Sequence, residues 1–202
     1  MSDTTKARTL DVGLRMLLRH GYNGLGVQAV LEEVGIPKGS FYHHFDSKED
    51  FVIQVVDRYM IDVHRGLDVS LNDKTLPPLE RVRKFFELSR DKYREDGYLG
   101  CMLGGLGQEL SGVSPVFQKK IEECLGAIAD RVTVCMKEAK SKGDIPKSAD
   151  ARHLANLIVD CWEGAALRSR LRQDPAPLNS MLDFYFNAVV PKIKKPARKR
   201  AS

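Results

Sequence analysis

The sequence predicts an all-α protein of about nine helices, with a small N-terminal three-helix head on a larger C-terminal helical body. Three observations carry this expectation. Apolar residues recur at spacings of three and four through nearly every segment. Ser, Gly and Pro fall where helix ends require them, and no stretch alternates apolar and polar residues as a strand would. Of the 202 residues, 43% are hydrophobic and 29% charged, which excludes a chain disordered throughout. No apolar run approaches the roughly 18 residues that span a bilayer. The first six residues lack the apolar core of a secretory signal, so no membrane partner and a cytoplasmic location are expected.

Each element has its own justification. Leu10, Leu14, Leu17 and Leu18 form one stripe on a helix over about residues 4–20, with Gly21 as its left-handed cap. Two short helices follow at about 27–34 and 38–45, separated by Gly35-Ile36-Pro37. Gly35 supplies a positive φ for the tight turn, and Pro37 suits a helix start because no amide donor is lost there. Ser47, with Asp50 three residues on, is an N-cap signature. Behind it Phe51, Val52, Val55, Val56, Tyr59, Met60 and Val63 form the apolar face of a long helix. Pro77-Pro78 opens a helix with Val82, Phe85, Phe86 and Tyr93 inward, and Gly97 breaks it. A short helix over about 99–110, a long one from Ser114-Pro115 to Gly143, and two at about 148–172 and 175–190 complete the chain. The resulting division is 1–46, 47–190 and a basic tail at 191–202.

The charge belongs mostly to that tail. The net charge is +5, yet residues 1–190 sum to −1, because Pro191–Ser202 hold six Lys or Arg and no acid. The tail is either a solvated, disordered end or an extra phosphate-binding arm. Four cysteines (Cys101, Cys124, Cys135 and Cys161) form no CxxC pair, so neither a disulfide scaffold nor a structural zinc site is expected.

The most informative stretch is the short helix pair at 26–45. Phe41 and Phe45 lie about 40° apart around the helix and define its buried face. Opposite them lie Gly39, Ser40 and His43, with Tyr42 and His44 at the edges and Lys38 at the helix start. Glycine lets another surface approach closely. Lys38, Tyr42 and the first amides suit phosphates, while Ser40 and His43 suit base edges in a major groove. A decorated, solvated helix is the plain alternative. A metal site at His43-His44 is not favoured, since neighbours on a helix diverge by about 100° and no third ligand is near.

Residues 37–51, Pro-Lys-Gly-Ser-Phe-Tyr-His-His-Phe-Asp-Ser-Lys-Glu-Asp-Phe, resemble the DNA-binding signature of the TetR family of transcriptional regulators, and the likeness extends over residues 8–60. The resemblance implies a helix-turn-helix DNA-binding domain at 1–46, whose helix at 38–44 enters the major groove of a double-stranded operator. Gln28 would meet the groove edge or a phosphate, and Tyr42, His43 and Lys48 backbone or bases. Gly26 stands where many relatives have a capping threonine. The family also implies a ligand-binding and dimerisation domain at 47–190, with the helices at about 148–190 forming a four-helix bundle between two copies. Leu154, Leu157, Ile158, Cys161, Trp162 and Leu167 would line one helix. Met181, Leu182, Phe184, Tyr185 and Val189 would line the other, and Gly164-Ala165-Ala166 would allow close approach.

Tyr98–Leu110 is unusually glycine-rich for a helix, each of Gly104, Gly105 and Gly107 weakening it by about 0.5–1 kcal/mol. Cys101 in its first turn is expected to favour a thiolate. The segment is similar to that of NemR-like repressors, which implies a cysteine responsive to electrophiles or oxidants. The lysine partner of that branch falls at Arg170, whose guanidinium stays charged and is a poor nucleophile. Cys101, Met60, His64, Tyr98, Trp162 and Arg170 form the expected effector site.

The resulting expectation is a homodimeric repressor released from its operator by a small-molecule effector, an electrophile or oxidant sensed at Cys101. A reversibly bound organic acid or hydrophobic effector is the alternative within the class, and a helical interaction protein without DNA binding the alternative outside it. No cofactor is expected. No acid, base and nucleophile converge in the sequence pattern, so an enzyme is not expected.

Overall fold

A computed structural model describes residues 3–190; the basic segment 191–202 lies outside the described residues. Nine α-helices follow in order: α1 (Asp3–Gly24), α2 (Val27–Val34), α3 (Lys38–Tyr42), α4 (Lys48–Leu71), α5 (Pro78–Glu95), α6 (Met102–Leu110), α7 (Pro115–Lys142), α8 (Ala151–Arg172) and α9 (Ala176–Phe184). No strand occurs among the described residues. Helix α1 packs on α2, α4 and α6, while α4 also packs on α5 and α7, so α4 touches both ends of the molecule. At 24 residues it is about 36 Å long.

The expected caps hold most of these boundaries. Ser47 Oγ accepts from the Asp50 amide at 3.0 Å, and the Asp50 carboxylate accepts from the Asp46 amide at 3.0 Å. Gly35 adopts φ 73° and ψ 41°, turning the chain between α2 and α3. Other boundaries differ from expectation. Gly21 does have a positive φ of 69°, but the helix resumes beyond it to Gly24, so α1 is kinked rather than ended there. Helix α3 stops at Tyr42, with His43 as its C-cap. Helix α6 begins at Met102, which makes Cys101 its N-cap. Helix α9 gives way to a π-helical turn, Tyr185–Val189, where the Tyr185 hydroxyl donates to the Leu154 carbonyl of α8 at 2.6 Å.

One charged side chain sits in the core. Arg81 is 1% exposed; it donates to the Leu71 carbonyl at 2.8 Å and pairs with Glu138 at 2.6 Å, tying the end of α4 to α5 and α7. Part of the expected dimer face is also internal. Ile158, Trp162, Ala165, Ala166, Leu182 and Tyr185 are buried within the single chain, where α8 packs on α7 and α9. Leu167, Leu171 and Phe184 remain exposed, at 40%, 67% and 66%.

Phe41 and Phe45 are buried as their spacing predicts, and they meet Phe51 of α4 with ring centroids 5.1 and 4.8 Å apart. Phe51 in turn presses on α1 at Gly13, where an added Cβ would overlap its ring. Phe41→Ala is expected to lower the free energy of unfolding by about 3–5 kcal/mol. His43→Ala, on the exposed side, is expected to change it by under about 0.5 kcal/mol. Urea denaturation followed by circular dichroism measures both.

Candidate functional site

With Phe41 and Phe45 fixing one side, α3 turns its other side to solvent. Lys38, Gly39, Tyr42 and His43 are exposed, Tyr42 at 50%, and nothing lies within 4 Å of the position a Gly39 side chain would occupy. Ser40 is half-buried. His44 turns inward; it too is half-buried, and its Nε2 is buried without a hydrogen-bond partner. Gln28 is exposed on the first turn of α2, its amide donating to Glu32 at 3.0 Å. Gly26 caps α2 without a side-chain bond, leaving its first amides open. Lys48 points elsewhere. Its ammonium donates to the Tyr22 carbonyl at 2.7 Å and lies 4.4 Å from that ring's centroid. Burial there lowers its pKa, opposed by the Glu109 carboxylate.

Lys48 belongs to a junction between the first helices and the rest of the chain. The Tyr22 ring packs edge-on against Phe117 of α7 at 5.4 Å. Ser114 donates to Glu49 at 3.1 Å. At the α1 kink, Glu109 of α6 accepts from the Asn23 amide at 3.0 Å, and an added Cβ at Gly21 would overlap that carboxylate. Arg170 of α8 reaches the Arg19 carbonyl at 3.4 Å. Between α1, α6 and α8 is a cavity of about 110 Å³, lined in part by Arg19, Gly21, Cys101, Glu109 and Arg170.

Cys101 faces a second environment on its other side. Its Sγ lies 3.8 Å from the Tyr59 hydroxyl, and Tyr93 and the Glu163 carboxyl are the other polar groups beside it. Trp162 donates to the Tyr93 hydroxyl at 3.3 Å. A Cβ at Gly104 would overlap the Glu163 carboxylate, so glycine makes room for it. Trp162 thus joins the expected group and Arg170 lines the adjoining cavity. Met60, His64 and Tyr98 make no hydrogen bond to Cys101 among the described residues. The residues that sequence reasoning missed are Tyr59, Tyr93 and Glu163. The two tyrosines read as apolar-face residues. A carboxylate beside Trp162, on a helix whose neighbouring positions are apolar, was the available signal.

The expected thiolate is overturned. Burial and then the Glu163 carboxylate push the Cys101 thiol up to about 12, outweighing its hydrogen bonds to the Gly104 amide and Tyr93. Burial also pushes Tyr59 and Tyr93 well above the ordinary phenol range. Burial raises Glu163 from 4.5 to about 7, opposed by its bond to Cys101 and reinforced by Asp160. A carboxyl whose pKa is raised on folding favours the folded state most while protonated, so this contribution is lost as pH rises from about 4.5 through about 7. Glu163→Gln is therefore expected to leave stability little changed near pH 4.5 and to raise it by up to about 3 kcal/mol near pH 8. Denaturant unfolding at the two pH values measures the difference.

Comparison with known proteins follows the same geometry. The family description "Bacterial regulatory proteins, tetR family" matches residues 10–55, and "Tetracyclin repressor-like, C-terminal domain" matches residues 78–185. The chain is 34% identical over 172 residues to the transcriptional regulator AcuR of Cereibacter sphaeroides, covering 85% of this chain and 78% of that one. It is 31% identical over 182 residues to the transcriptional repressor DhaR of Mycobacterium sp. strain GP1, covering 90% of each. A regulatory protein TetR crystal structure from Rhodobacter sphaeroides superposes with a TM-score of 0.85 at 32% identity, over 89% of this chain and 96% of that one. The NemR repressor of Escherichia coli is 22% identical, so the likeness to that branch extends to the fold and no further. These relatives are named as regulators, not as enzymes. From the profiles that match its two parts and the relatives that span its length, the chain belongs to the TetR family of DNA-binding transcriptional regulators.

Proposed function

We propose that the chain is a homodimeric transcriptional repressor of the cytoplasm, released from its operator by a small molecule. The observation that carries this reading is the exposed α3 face, Lys38, Gly39, Tyr42 and His43, held outward by buried Phe41 and Phe45. Ser40 borders this face, and Gln28 and the open amides of α2 lie on the same helix pair. Lys48 and His44, both turned inward, serve the duplex only after leaving their present contacts. Exposed Leu167, Leu171 and Phe184 support a second copy docking along α8 and α9. Two α3 helices would then occupy successive major grooves about 34–36 Å apart.

Release requires an effector that prefers the conformation not bound to DNA. The cavity beside Cys101 supports its entry point, because α6 carries Cys101 at one end and Glu109, bonded to Asn23 of α1, at the other. An adduct or ligand that shifts α6 loads that bond directly. Covalent modification of Cys101 by an electrophile is the reading we favour, because Cys101 lines the cavity. Reversible binding of a small organic acid is a second reading, supported by Arg170 and Arg19 in the same lining.

Tyr42→Ala with His43→Ala is expected to abolish the specific complex in a mobility-shift assay on the DNA upstream of the gene, with helicity and dimer mass unchanged. Retained binding would leave a helical interaction protein as the better account. Cys101→Ser is expected to keep operator binding and blunt its release by maleimides and quinones by at least about tenfold in dose. An unchanged dose response removes the thiol from the mechanism and leaves the reversible acid.

A further inference from the structure

Cys101 lies between two unlike neighbours. On one side is the cavity of about 110 Å³ under α1; on the other is a cluster of buried Tyr93 of α5 and Trp162 of α8 with half-buried Tyr59 of α4 and Glu163 of α8. The cluster holds a carboxyl against the thiol, and Gly104 clears the space that the carboxyl occupies. Glu163 makes no ion pair among the described residues. The groups facing it are Cys101 from the α6 start, Tyr59 from α4 and Asp160 from its own helix, with Tyr93 from α5 bridging to the thiol. A structural carboxylate withdrawn from water is ordinarily matched by a cation. This one is matched by a nucleophile.

We infer that Glu163 is the base that takes the Cys101 proton as the sulfur adds to an α,β-unsaturated carbonyl compound, with the Tyr59 hydroxyl donating to the sulfur as charge develops on it. The inference rests on the covalent reading given above. The step balances without a further reactant. The Glu163 carboxylate accepts the thiol proton, and the sulfur lone pair forms a C–S bond to the β-carbon. The C=C electron pair moves to the carbonyl oxygen as an enolate. The α-carbon then takes back the proton from Glu163, which restores the carboxylate, and no group leaves. The Trp162 bond to Tyr93 positions that phenol beside Tyr59 and keeps the cluster in register. The base is available only while ionised, which requires a pH above about 7. The cavity volume restricts the electrophile to a small compound.

The test uses the full-length protein with Cys161→Ser, because Cys161 is the exposed thiol. The probe is N-ethylmaleimide, and modification of Cys101 is timed by peptide mass spectrometry from about pH 5.5 to 9. The expected rate rises up to about tenfold per unit below about pH 7 and levels above it. Glu163→Gln is expected to slow it about 100-fold and abolish the levelling, while Glu163→Asp retains the inflection. Operator binding by unmodified Glu163→Gln reports that the variant is folded. An unchanged rate and profile in Glu163→Gln overturns the assignment of Glu163 while leaving the covalent reading intact. Absence of any Cys101 adduct at every pH overturns both.

Discussion

The packing of Phe41, Phe45 and Phe51 is the constraint on which the exposed face depends. Helix α3 is five residues long, far below the length at which a helix persists alone. Its direction is therefore set from outside, by two rings seated on a third that belongs to α4. Phe51 can sit so deep because α1 offers Gly13 there. Burying those rings turns Lys38, Gly39 and His43 outward without any of them contributing to the packing. The exposed side of α3 is free to vary in chemistry because its opposite side carries the stability.

The link from α1 and the start of α4 to α6, α7 and α8 has a different character. Beside apolar packing such as Tyr22 on Phe117, it has few side-chain hydrogen bonds: one carboxylate on an α1 amide, one serine hydroxyl on Glu49 and a guanidinium on the Arg19 carbonyl. Each such bond contributes roughly 1 kcal/mol net. A small ligand with a few kcal/mol of differential affinity can therefore overcome several of them. The same ligand could not displace the phenylalanine cluster, so α1–α3 would move together with the start of α4, which carries Phe51. Glu163 follows a related logic. Its burial costs stability that glutamine would not, a cost proteins accept where a group has chemistry to perform.

Local rules made much of this legible in the sequence. Ser47 with Asp50, Gly35 with Pro37, and the four-residue spacing of Phe41 and Phe45 each express contacts within one or two helical turns, and each appears where its pattern implies. The group around Cys101 is different, because Tyr59, Tyr93 and Glu163 converge from three helices separated by long stretches of sequence. No periodicity encodes that convergence. The thiolate expectation failed for a related reason: a helix start stabilises an anion, but burial beside a carboxylate outweighs it. Arg81 evaded notice because a guanidinium in an amphipathic helix reads as solvent-facing, whereas here its partners Leu71 and Glu138 surround it. The apolar stripes of α8 and α9 do not say which positions face inward, and only tertiary packing separates buried Ile158 from exposed Leu167.

The kink in α1 binds two distant positions into one inheritable unit. Residue 21 favours glycine because its φ is 69° and because the carboxylate of residue 109 fills the space a side chain would take, and that carboxylate accepts from the Asn23 amide. Drift at either position is penalised. A lineage that replaced the acid would still need glycine at residue 21 for its φ of 69°, but the tip of α1 would lose its tie to α6.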